Sequence, residues 1–240
     1  VLNSLGVVFG WEAIPDLDAD VYQLRYTQTD QSWEASTVIV TTKAVSYTWR
    51  FQVAGNYKVY LKSYDTSRNE STLSASVTFT IAAPTAPVLT FQLSGPSYIL
   101  SWSRSVAQWE IREYEIQYTP AVGPSVTLAV ITGLSYRALV DWGGARTFTV
   151  LPRDIANNTG TPGILSTSIA IPGAAIDFDI TQFGSNILID WLEPSVGDLP
   201  IARYYVKRGT VYATADLIGT VSGTFAVWSE RIGGTYTYWV

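Results

Sequence analysis

Chemistry in this chain would have to come from carboxylates, hydroxyls and aromatic rings, because its 240 residues include no histidine, cysteine or methionine. Without cysteine there is no disulfide, no thiolate nucleophile and no sulfur-ligated metal. Without histidine the usual general base at neutral pH and the commonest metal ligand are gone. A Ser-His-Asp or Cys-His arrangement is therefore impossible. Two acidic clusters remain. Asp16-Leu17-Asp18-Ala19-Asp20 opens with the spacing of a calcium loop, but that loop needs glycine sixth and glutamate twelfth, where this chain has Val21 and Thr27. It reads as an acidic loop between strands. Glu110, Glu113 and Glu115 suggest paired carboxylates for acid–base work. Glu113 and Glu115, however, share the exposed face of a strand, where carboxylates keep ordinary pKa values. No Gly-x-Gly-x-x-Gly or phosphate-cradling Gly-Lys-Ser/Thr occurs. We expect no catalytic residue, no metal site and no cofactor, and hence no enzyme.

The rings are the other resource: nine Trp, fifteen Tyr and eight Phe. Trp11, Trp102 and Trp191 each close a similar apolar run: Val7-Val8-Phe9-Gly10, Tyr98-Ile99-Leu100-Ser101 and Ile187-Leu188-Ile189-Asp190. About a dozen residues later comes a second run, Tyr22–Tyr26, Tyr114–Tyr118 or Tyr204–Arg208. Ser46-Tyr47 and Ser135-Tyr136 keep the same spacing, and Phe225 continues it. The period is about ninety residues, the size of a small domain and not of a solenoid unit.

Proline and glycine punctuate the chain at short intervals, and the runs between them alternate apolar and polar. Tyr114, Ile116 and Tyr118 share one parity, and Glu113, Glu115 and Gln117 the other. Period-two patterning with one polar face is what an antiparallel sheet covering a core on one side requires. Two such sheets, with a Trp filling the gap between them, make a sandwich. The class is all-β. No apolar run approaches the ~18 residues that a membrane span needs. Charged residues make up 15% and the net charge is −5, which argues against nucleic-acid binding. Residue 1 is valine, so we expect a piece of a longer chain, with any targeting segment outside it.

Gly55-Asn56-Tyr57-Lys58-Val59-Tyr60-Leu61-Lys62-Ser63-Tyr64-Asp65, with the turn Thr66–Ser71 that follows, resembles the sixth strand and next turn of a fibronectin type III domain. The Trp-bearing second strand and the Tyr-x-x-x-Tyr third strand match that family too. The resemblance implies three tandem immunoglobulin-like β-sandwiches of fibronectin type III type, the first and last incomplete. It places Trp11, Trp102, Trp191, Tyr57 and Tyr236 in their cores. Arg146 stands where the second copy's corner tyrosine should be, which removes the hydroxyl that tethers this corner. Ile218–Thr224 and Gly234–Val240 are similar to modules of bacteriophage tail-tip host-specificity proteins and tail fibres.

Proline-bearing segments, Ala82–Pro87 and Ala170–Ala175, set the boundaries. Module 1 spans 1–82 and lacks most of its first strand; module 2, 83–171, is complete; module 3, 172–240, stops in its sixth strand. Short proline linkers act as stiff spacers. Trp33, Trp109, Trp142 and Trp228 fall in or near loops or strand ends. They are candidates for stacking on sugar, filling a partner's pocket, or covering their own loops, and packing against neighbouring protein is favoured. Asn69-Glu70-Ser71 and Asn157-Asn158-Thr159 fit the glycosylation pattern, but both sit on the family's turn. Two function classes follow. One is a structural and adhesive part of a phage tail, in the virion, as a homotrimer touching other tail proteins and a host surface receptor. The other is a set of accessory modules in a secreted bacterial glycoside hydrolase or adhesin.

Overall fold

A computed structural model describes residues 2–3, 6–15, 19–50, 52–194, 197–229 and 235–240. Its strands fall into three successive groups. The first holds β1 (Leu2–Asn3), β2 (Gly6–Gly10), β3 (Ala19–Thr27), β4 (Thr37–Thr42), β5 (Ser46–Arg50), β6 (Gly55–Asp65) and β7 (Ala75–Ile81). The second holds β8 (Leu89–Ser94), β9 (Ser97–Trp102), β10 (Ile111–Pro120), β11 (Val126–Ile131), β12 (Ser135–Leu139), β13 (Gly144–Asp154) and β14 (Gly163–Ile169). The third holds β15 (Ile176–Phe183), β16 (Asn186–Leu192), β17 (Tyr204–Arg208), β18 (Asp216–Val221), β19 (Phe225–Ser229) and β20 (Tyr238–Trp239). Helix is confined, among the described residues, to one 3-10 turn at Tyr212–Thr214.

The sheet orders repeat. β1-β2-β5 is partnered by β4-β3-β6-β7, β8-β9-β12 by β11-β10-β13-β14, and β15-β16-β19 by β18-β17-β20. Even the irregularities recur: pairing shifts register opposite Leu24/Arg25, Ile116/Gln117 and Val206/Lys207, where Ile39, Leu128 and Ile218 are the extra residues, one bulge on each fourth strand. These are three tandem immunoglobulin-like sandwiches of fibronectin type III type. Among the described residues, the first strand of the first sandwich is the two residues of β1, paired Leu2 to Val7.

Each core is built on the same ring pair. The Trp near the end of the second strand meets the Tyr near the start of the third edge-on: Trp11–Tyr22 at 5.6 Å, Trp102–Tyr114 at 5.6 Å and Trp191–Tyr204 at 5.2 Å. This is the preferred geometry of two ring quadrupoles. Trp102 and Trp191 are buried, whereas Trp11 is half-buried. The tyrosine hydroxyls also pin the preceding loop, since Ile14 N donates to Tyr22 Oη at 2.9 Å and Ser105 N to Tyr114 Oη at 3.0 Å.

The described residues form two compact units. One takes the first sandwich and most of the second; the other takes the third sandwich with residues 92–98 and 137–146.

The expected position of Phe225 needs correction. Trp11, Trp102 and Trp191 donate their backbone N–H to Val45, Leu134 and Thr224, which aligns the three fifth strands. On that register Ala226, not Phe225, stands where Tyr47 and Tyr136 do. Between the Trp and this strand the third copy carries one residue more than the second and one fewer than the first, so a fixed count misplaces it. A one-residue slip turns a side chain to the opposite face, so Phe225 points outward and Ala226 and Trp228 pack on the core.

Candidate functional site

The residues that sequence reasoning offered for chemistry lie on different strands, Asp20 on β3 and Glu113 and Glu115 on β10. Asp16 and Asp18 lie outside the described residues, and Asp20 is paired with Lys43 at 2.5 Å. Among the described residues no group of three or more Asp or Glu side chains is placed to hold a metal ion. Glu113 departs from the ordinary behaviour expected of it: the hydrogen bond from Arg112 Nη2, 2.6 Å long, holds its carboxyl below the usual range. Glu115 accepts from Arg153 Nη2 at 2.8 Å and from Gln117 Nε2 at 2.7 Å. Glu113, kept ionised by Arg112, is the opposite of a general acid.

The loop tryptophans separate into three situations. Trp33 is buried within the first sandwich: Arg25 Cζ lies 4.9 Å and Lys62 Nζ 5.2 Å from its ring centre, and Tyr60 meets it edge-on. Its burial rules it out as an exposed interface residue. Trp228 packs on the core of the third sandwich. Trp142 is half-buried under Arg146, whose Cζ is 4.4 Å from the ring, and Asp141 pairs with that guanidinium at 3.6 Å. The missing corner tyrosine of module 2 is thus replaced by a cation–π contact and an ion pair. Tyr236 is half-buried with Arg208 Cζ 5.2 Å from its ring.

Trp109 does something else. It is 3% exposed and joins Val7, Tyr57 and Ile81 of the first sandwich in one buried cluster. Its indole Nε1–H donates to Gln52 O at 2.9 Å. Three contacts converge on the β5–β6 corner that carries Gln52. The Tyr57 hydroxyl donates back to Val53 O at 2.8 Å, the tethering expected of a corner tyrosine. Trp109 takes the carbonyl before it. The Ala54 N–H after it donates to Asn158 Oδ1 at 2.6 Å. Burial raises the Tyr57 hydroxyl's pKa, with the Gln28 side chain working against that rise. The hydroxyl therefore stays a donor across the neutral range.

Asn158 reaches Ala54 because its turn is rigid. Asp154, fully buried, accepts from Ala156 N (2.9 Å), Asn158 N (2.9 Å) and Asn158 Nδ2 (2.8 Å). Asn157 takes the left-handed conformation at φ 65° that asparagine tolerates. Ile155 and Ala156 from the same turn pack on the Trp109 cluster. The turn at Asp65–Asn69 is its counterpart: Asn69 N and Nδ2 both donate to Asp65 at 2.8 Å, and Arg68 sits at φ 67°. Both glycosylation-pattern segments are therefore this turn.

The linker is fastened as well. Thr85 N donates to Val106 O at 2.8 Å, Val106 N to Thr85 Oγ1 at 3.0 Å, and Thr161 N to Pro84 O at 3.0 Å. A Cβ on Gly160 would lie 2.3 Å from Pro84 O, so only glycine lets the loop approach there. Gln52 was not singled out from sequence, and Asn158 and Pro84 were read only as turn and linker residues. The Asp-x-x-x-Asn repeat 89 residues apart marks the turn, but not which copy is covered.

The first sandwich should weaken in acid. Asn69 holds Asp65 low, Lys62 does the same for Glu70, and Lys58 for Asp30, in each case chiefly by side-chain hydrogen bonding. A carboxyl depressed on folding stabilises fully above its unfolded pKa and loses that contribution as pH falls through the folded one. Melting temperature measured from pH 6 down to about pH 2 should therefore fall below about pH 4, and less steeply in Asp65→Asn. Equal slopes in the two proteins would contradict this assignment.

No family model matches the sequence, and a search of curated proteins finds no relative. Among solved structures, the chain is similar to a two fibronectin type-III domain segment from chicken tenascin, at 13% identity and a TM-score of 0.38, over 70% of this chain and 94% of that one.

Proposed function

We propose that the chain is a stiff structural and adhesive spacer of a bacteriophage tail, at its tip or in a fibre, standing in the virion as a homotrimer beside other tail proteins and supporting attachment to a host surface receptor. The observation that carries the spacer reading is the junction between the first two sandwiches. Trp109, Asn158 and a hydrogen-bonded linker fix one module on the next, which a flexible tether would not need. The tail assignment draws on the likeness of Ile218–Thr224 and Gly234–Val240 to tail-tip modules. Low charge suits surfaces covered in an assembly.

Antibodies against the chain should label one end of the tail in electron micrographs of virions from the same source, and should block adsorption. Labelling of a secreted hydrolase or adhesin, with bare virions, would contradict the tail assignment and leave the spacer reading intact.

A further inference from the structure

The third sandwich differs from the other two on the outer face of its β15-β16-β19 sheet. Pairing places Phe225 opposite Asp190, Val227 opposite Leu188, and Asp179 on the far side of Asp190. Phe225 is 60% exposed, Val227 55% and Leu192 54%. The other copies give an internal control. Where module 3 has Phe225, the shared Trp-to-carbonyl hydrogen bond aligns Ser46 and Ser135; where it has Val227, Thr48 and Arg137. Counting from the core Trp, Leu192 corresponds to Glu12 and Ser103, and Asp190 to Gly10 and Ser101. Leu188 is apolar in every copy, as Val8 and Ile99, but the three positions around it have turned from polar to apolar, and two carboxylates stand in the middle of the face. The seventh strands β7 and β14 both join the opposite sheet, so this is an outer face in every copy.

We propose that this face is a protein-binding surface, and that its partner presents aliphatic or aromatic side chains around a central Arg or Lys. An exposed aromatic flanked by aliphatics on a sheet face is the composition of an interface core and not of a solvated face. Charge identifies the partner. Asp179 and Asp190 are directly opposite each other, an arrangement that repels. No ion pair or side-chain hydrogen bond among the described residues relieves it. β15, β16 and β19 contain no Lys or Arg at all. A guanidinium or ammonium between the two carboxylates turns that repulsion into paired attraction as water leaves. A second copy of the same face would instead bring two more carboxylates. The inference stands apart from the tail reading.

Three variants and a random peptide display library test it on the full chain. Phe225→Ser with Val227→Thr installs what module 1 carries at these positions, and Val227→Arg what module 2 carries, so both should melt with the parent. Peptides enriched on the parent should combine Arg or Lys with apolar residues. Their binding should fall about tenfold or more on the Ser/Thr double variant and on Val227→Arg. Enrichment on Asp179→Asn with Asp190→Asn should lose the Arg/Lys bias. No enrichment, binding indifferent to these variants, or enrichment without a basic residue would overturn the proposal. So would parent self-association in sedimentation that the Ser/Thr variant abolishes, which would give the face to a second copy.

Discussion

Trp109→Ala is expected to cost about 3–5 kcal/mol of stability, the range for truncating a large buried aromatic. The loss should be felt in two sandwiches at once. The indole stands in the second, yet its burial is made by Val7, Tyr57 and Ile81 of the first, and its N–H fills the Gln52 carbonyl. Removing it opens a cavity at the foot of the first core and leaves that carbonyl without its donor. Chemical denaturation followed by hydrogen exchange should show amides around Tyr57 and around Ile116 losing protection together. Protection lost in the second sandwich alone would mean that Trp109 serves its own module only.

Asp154→Ala should cost about 3 kcal/mol, because it strands three donors around a fully buried site and bonds to a carboxylate are the stronger kind. It also frees the Asn158 side chain, so the Ala54 N–H loses its acceptor. The same change at the half-buried Asp65, on the exposed counterpart turn, should cost clearly less. Urea midpoints of the two variants measure the contrast directly. Equal losses would show that the turn matters for itself and not for what it docks against.

The strand plan was legible in the sequence because period-two alternation, the ninety-residue spacing of Trp11, Trp102 and Trp191, and turn residues all agree. The burial of Trp109 against a different module was not, since alternation reports which face a residue takes and not what covers it. Trp33 shows the same limit: a loop tryptophan amid polar neighbours is hidden by Arg25 and Lys62, whose methylene stems cover apolar surface while their charges meet the ring. Phe225 failed for a different reason. Fixed-period counting ignores a single inserted residue, and in a strand one residue exchanges inside for outside. The lowered Glu113 pKa depends on Arg112 turning toward it, which strand parity places on the other face.

The central claim is that the first two sandwiches move as one body because Trp109 and Asn158 lock the corner between β5 and β6. Backbone 15N relaxation on the full chain measures this most directly. Amides of β2–β7 and of β9–β14 are expected to fit a single rotational diffusion tensor, and to separate into two in Trp109→Ala. Two independent tensors in the unmodified chain would contradict the account.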